Sequence, residues 1–187
     1  IFLFVGLFVI IVASVSFYLN KKGKKKIFLS ENFIKSKIYL EDGEKNKAKN
    51  ILREIIYAND ATYSTLSLFL ILDEELIVEK EVLLSLFNHV LENNRFENEL
   101  KNLLIYKKAL FQSNFANEAE LLEVIKPLIN RETIWKHHAL LLIGDYFVSK
   151  NEYLKAKEFY IQVMSLKNLH NELYDQANSK LISITND

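Results

Sequence analysis

Apolar side chains recur at steps of three and four along most of this chain, and the polar breaks between apolar runs are short. The clearest stretch is residues 135–164, WKHHALLLIGDYFVSKNEYLKAKEFYIQVM. Leu140, Ile143 and Phe147 form one stripe of a helix, and Phe159, Tyr160 and Val163 form the stripe of a second. Ser149, Lys150, Asn151 and Glu152 interrupt the pattern over a length that suits the turn of an antiparallel helix pair. Gly144 lies within the first stripe. Glycine inside a helix costs about 1 kcal/mol relative to alanine, so it points to a second helix approaching closely, with Ala156 as the small residue presented to it. Lys155, Lys157 and Glu158 are then left facing water.

Weaker units of the same kind lie upstream. Phe33, Ile34, Ile38 and Tyr39 follow a helical period behind the N-cap candidate Ser30, and EDGEKNKAKNILREII supplies a turn with Gly43 and a second helix. Tyr39, Ala48 and Leu52 correspond in order to Phe147, Ala156 and Tyr160, with nine residues from aromatic to alanine in both. Residues 61–72, behind the N-cap candidate Asp60, are apolar on most faces and predict a largely buried helix, with Val82, Leu83, Leu86, Phe87 and Val90 on its partner. Leu100, Leu103, Leu104, Tyr106, Ala109 and Leu110, then Leu121, Leu122 and Ile125, predict another pair. Pro127 should kink or end the second helix of that pair near Lys126. Leu173, Ala177, Leu181 and Ile184 mark a last amphipathic helix over 172–184, a cap for the open end of a stack.

Aligning the second helices on Ala48, Val82, Leu121 and Ala156 gives steps of 34, 39 and 35 residues. These bracket the 34-residue period of tetratricopeptide repeats. Leu140, Ile143, Gly144 and Phe147 sit at the spacings of the W-x2-L-G-x2-Y pattern of those repeats, and Ala156 and Tyr160 at the later A-x3-F. The fold expected is therefore all-α, a tetratricopeptide-like right-handed stack of antiparallel helix pairs with a C-terminal capping helix, over residues 29–187. Its packing residues are Tyr39, Ala48, Leu52, Gly144, Phe147, Ala156 and Tyr160.

Residues 1–19, IFLFVGLFVIIVASVSFYL, carry no charge, and as a helix they would reach roughly 28 Å, close to the hydrocarbon thickness of a bilayer. The run exceeds a signal-peptide core of about 7 to 15 residues and ends in bulky residues, which favours a retained transmembrane anchor. A basic juxtamembrane linker follows at 20–28, with Lys21, Lys22, Lys24, Lys25 and Lys26. The positive-inside rule, applied to this flank alone, places the lysines and the domain in the cytoplasm. The chain begins at Ile1 and its one methionine is Met164, so further residues are expected before Ile1, and their charge would bear on topology.

The remaining 19 basic residues stand against 24 acidic ones, which argues against nucleic-acid binding by charge. No cysteine is present, which excludes disulfides, thiolate metal sites and a cysteine nucleophile. His137 and His138 are adjacent, about 100° apart on a helix, unlike an i, i+4 metal-binding pair, and His89 stands alone on a helix flank. There is no P-loop, G-x-G-x-x-G, G-x-S-x-G or H-E-x-x-H. No enzyme, catalytic residue, metal or cofactor is expected. A repeat stack offers instead a groove lined by the first helix of each pair, with Phe33, Lys37, Tyr106, Leu110, His138, Leu141 and Asp145 as candidates to contact a protein partner.

In the order of its segments the chain resembles the tetratricopeptide-like family of ancillary SecYEG translocon subunits. The residues carrying the resemblance are the apolar run 1–19, YLEDGEKNKAKNIL, YSTLSLFLILDEELI, LLIYKKALF and WKHHALLLIGDYFVSKNEYLKAKEFY. The resemblance implies a single-pass protein of the bacterial inner membrane with its repeat domain in the periplasm. Its implied partners are Sec translocon subunits, a membrane-anchored chaperone and emerging polypeptides. A cytoplasm-facing adaptor recruiting soluble partners is the alternative, and a helical small-molecule-binding or enzymatic domain is a further one.

Overall fold

In the computed structural model, residues 2–167 and 169–185 are described, with side chains from residue 20 onward. Among the described residues the secondary structure is all α-helical: α1 (Phe2–Glu41), α2 (Lys45–Tyr57), α3 (Ala61–Asp73), α4 (Lys80–Asn93), α5 (Asn98–Gln112), α6 (Glu118–Ile129), α7 (Lys136–Ser149), α8 (Tyr153–Met164) and α9 (Asn171–Thr185). The chain divides into two compact units, Ile1–Arg95 and Phe96–Asp187.

Ser30 does not cap a helix. It lies inside α1, which continues unbroken through the lysine-rich stretch 20–28. Lysine is a good helix former, so charge alone gives the chain no reason to break there, and the one glycine, Gly23, costs only about 1 kcal/mol. No helix among the described residues is long and apolar enough to cross a membrane. The anchor expectation falls on residues 1–19, whose side chains lie outside the described residues.

In the first unit α1 packs against α2 and α3, and α4 closes on α2 and α3. Leu52, Ile56, Leu68, Ile71, Phe87 and Val90 are fully buried at its centre. Asp60 caps α3 as expected, accepting from the Thr62 and Tyr63 amides at 3.1 Å. The apolar look of α3 misleads, however. Leu66 is 42% exposed, while Ser64, Thr65 and Ser67 are buried alongside Leu68 and Ile71. Ser64 Oγ donates at 3.2 and 3.0 Å towards the Ile55 and Ile56 carbonyls in the last turn of α2, adding to the Ala58 and Asn59 amides those carbonyls already accept. On α4 the register position Val82 is 36% exposed and Leu83 is the buried residue.

In the second unit α5 pairs with α6, α7 with α8, and α9 lies against α8 and α7. Pro127 stands inside α6 without ending it: the helix runs three residues past Lys126, held by the fully buried Leu128. The last helix is present at its expected place, with Ala177 as its buried residue.

The correspondence between the two hairpins extends to the backbone. α1 ends with Gly43 at φ +77°, whose N–H donates to the Leu40 carbonyl at 3.0 Å, while the Glu44 N–H donates to Tyr39 at 2.7 Å. α7 ends with Asn151 at φ +60°, whose N–H reaches Val148 at 2.9 Å, while the Glu152 N–H reaches Phe147 at 2.9 Å. Both are Schellman turns, which satisfy carbonyls left over at a helix end, and glycine or asparagine is what tolerates the positive φ. Glu44 pairs with Lys47 and Glu152 with Lys155 in the same i, i+3 relation. Those lysines lie over the matching rings, Lys47 at 5.3 Å from Tyr39 and Lys155 at 4.9 Å from Phe147. Ala48 and Ala156 are both fully buried. The aromatic positions differ in depth: Phe147 is buried, whereas Tyr39 is half-exposed under its lysines.

The close approach at Gly144 is present, but the residue filling it is Tyr160 rather than Ala156. A Cβ added to Gly144 would lie 2.8 Å from Tyr160 Cδ1, 3.0 Å from Cζ and closer still to Cε1. The equivalent place in the first hairpin, by the same offset, is the buried Ser36, matched to Leu52. Replacing Gly144 with alanine should therefore destabilise the second unit by about 1 to 3 kcal/mol in a denaturant titration. Adding Tyr160→Leu, the residue the first hairpin uses there, should recover most of that loss, giving a coupling well outside additivity.

Candidate partner-binding groove

The groove candidates of the second unit lie on its first helices. Tyr106 projects from α5 and stacks on Trp135, which immediately precedes α7, with ring centroids 5.5 Å apart and planes at 28°. His138 completes the group, 5.7 Å from Tyr106 and 5.6 Å from Trp135. All three are half-buried, so each presents an edge to solvent. Burial, and next the Asp145 carboxylate, push the Tyr106 hydroxyl above its usual pKa, which leaves it a neutral donor. Leu110, one turn on from Tyr106, is exposed. Leu141 is buried and serves packing.

Asp145 is occupied within the chain. It accepts the Tyr160 hydroxyl at 2.7 Å and receives Lys180 Nζ of α9 at 2.8 and 2.9 Å. Burial, followed by this bond to a carboxylate, drives the Tyr160 pKa far up, so the phenol keeps its proton. The residue therefore ties three helices of the unit together. Phe33 and Lys37 belong to the first unit: Phe33 is half-buried against Tyr63 at 6.3 Å, and Lys37 is exposed. Sequence reading missed Trp135 and Lys180. A tryptophan just ahead of a helix could have been marked as an aromatic anchor, but nothing in the local pattern pairs Lys180 with a residue 35 positions earlier.

Among the described residues no three His, Asp or Glu side chains converge as metal ligands would. The His137 and His138 rings do come within 4.0 Å of one another, closer than the helical angle alone suggests. His137 lines a cleft of about 310 Å³ with Glu132, Lys136, Lys167 and His170. His89 bridges helices, its Nε2 lying 2.8 Å from Asn59 Oδ1 and its ring edge-on to Tyr57.

Comparison of the chain with protein-family models, with characterised proteins and with solved structures finds no significant match.

Burial, and then the neighbouring His138 and His170, hold the His137 pKa at about 4. The unfolded chain regains the ordinary value near 6.5, so between about pH 6.5 and pH 4 it binds a proton that the folded chain refuses. Stability present above the upper value is lost as pH falls. Burial lowers His138 in the same sense. The melting temperature should thus fall between about pH 6.5 and pH 4, and His137→Gln should flatten that fall.

Proposed function

We propose that the chain is a membrane-anchored, non-catalytic scaffold of tetratricopeptide type, working beside the Sec translocon and binding protein partners through the first helices of its pairs. The observation that carries this reading is the recurrence of one hairpin design, with the same Schellman turn, the same Glu–Lys pair and the same buried alanine at Tyr39–Leu52 and Phe147–Tyr160. A chain that repeats one helix pair builds surface rather than a catalytic pocket. The half-buried rings of Tyr106, Trp135 and His138, beside the exposed Leu110, supply the aromatic and apolar contacts such a surface uses. The charge-free run 1–19 continues into α1 and serves as the anchor. The translocon, a membrane-tethered chaperone and emerging polypeptides come in from the family resemblance, which also places the domain in the periplasm.

A second reading keeps the scaffold and turns it to the cytoplasm. The five exposed lysines next to the apolar run favour it. Protease added to spheroplasts distinguishes the two, since only a periplasmic domain is digested.

Photocrosslinking from position 110 in native membranes should capture translocon or chaperone components, and Tyr106→Ala should reduce the yield several-fold without unfolding the chain. Recovery of neither class would overturn the translocon assignment.

A further inference from the structure

Five lysines occupy positions 21, 22, 24, 25 and 26 of α1, and all are exposed. At about 1.5 Å per residue the stretch 21–26 spans about 9 Å, comparable with a headgroup layer of roughly 5 to 8 Å per leaflet. The lysines are not equivalent. Lys21, Lys22 and Lys25 share one face of the helix and line a cleft of about 550 Å³, whose other wall is Asn59 and Asp60 in the turn between α2 and α3. Lys24 and Lys26 lie outside it.

Three contacts build this cleft. Lys25 Nζ donates to the Ala58 carbonyl at 2.5 Å, pinning the turn against α1. Asn59, at φ +55°, is held by His89 at 2.8 Å. Asp60 is the one carboxylate among the lining residues, and its Oδ1 is turned into α3, where it accepts two amides. The cleft therefore offers the Lys21 and Lys22 ammonium groups, with Lys25 already donating to the turn, against a carboxylate already engaged.

We infer that this cleft binds the phosphate of an anionic lipid headgroup. The inference rests on the anchored reading, because the run 1–19 in the bilayer is what brings residues 21–25 to headgroup depth. An anionic membrane surface attracts all five lysines, about 1 kcal/mol each, whereas for a single headgroup in a neutral micelle the fixed geometry of the cleft favours Lys21, Lys22 and Lys25 over Lys24 and Lys26. Its consequence is positional: the α2–α3 turn, and with it the first unit, is held at the membrane surface.

The test uses the full chain in detergent micelles, titrated with phosphatidylglycerol or phosphatidylcholine and read by native mass spectrometry. Phosphatidylglycerol should be retained at least about ten-fold better. K21Q/K22Q should remove most of that preference, whereas K24Q/K26Q, which deletes the same charge outside the cleft, should leave it within about two-fold. Equal retention of the two lipids would overturn the inference, as would equal loss from the two double variants. Displacement of the lipid by equimolar inorganic phosphate would show a free-anion site and overturn the lipid assignment. Carbonate extraction of native membranes tests the anchor separately. A chain that is released but still selects phosphatidylglycerol sinks the anchored reading alone, and a resistant chain without selectivity sinks the headgroup site alone.

Discussion

A tyrosine ring resting against a glycine sets the geometry of the second unit. With no Cβ at position 144, α8 can approach α7 until the Tyr160 ring occupies the space a side chain would fill. The ring is fully buried, so it cannot swing away to admit one. At this depth its hydroxyl reaches Asp145, one residue past the glycine, and Asp145 in turn fixes Lys180 of α9. The same carboxylate acts on Tyr106 of α5. One missing methyl group thereby orders a hairpin and a terminal helix.

The first unit meets the same packing problem with other residues. Its hairpin sets the small Ser36 where the second has Gly144, and Leu52 where the second has Tyr160. Ser36 Oγ donates to the Phe33 carbonyl at 2.7 Å, so the hydroxyl is satisfied within its own helix and the residue behaves as a small filler. A leucine in place of the tyrosine demands less room, and serine suffices. What the two hairpins keep in common is the turn: a left-handed residue, an acid at the next helix start, and a lysine one turn on that covers the preceding aromatic ring.

From α2 onward, helix order and turn positions were legible in the sequence because they depend on local signals, whereas the anchor, linker and first repeat helix expected before Tyr39 form the single helix α1. Asp60 as a cap, Gly43 in a turn and the polar break 149–152 each reflect short-range chemistry. The failures share a different cause. Ser30 looks like a cap, yet neither neighbour stops the helix. Leu66 and Val82 look buried by composition, yet which face of α3 and α4 turns inward is set by the helices packed against them. Pro127 was expected to kink or end α6 near Lys126, and the helix runs on to Ile129 with Leu128 buried. Of the candidate groove, Tyr106 and His138 come together as a group, with Trp135 added between them. Asp145 is taken by a lysine that no local pattern could have matched to it. Long-range choice of partner is what a single sequence does not spell out.

The contact between Gly144 and Tyr160 is directly observable in solution. A nuclear Overhauser spectrum of the full chain in detergent, with glycine and tyrosine selectively labelled, should contain strong cross-peaks between the Gly144 α protons and the Tyr160 ring protons. Their absence, with the Tyr160 ring giving cross-peaks to other core residues instead, would contradict the close-packed hairpin on which the rest of the second unit depends.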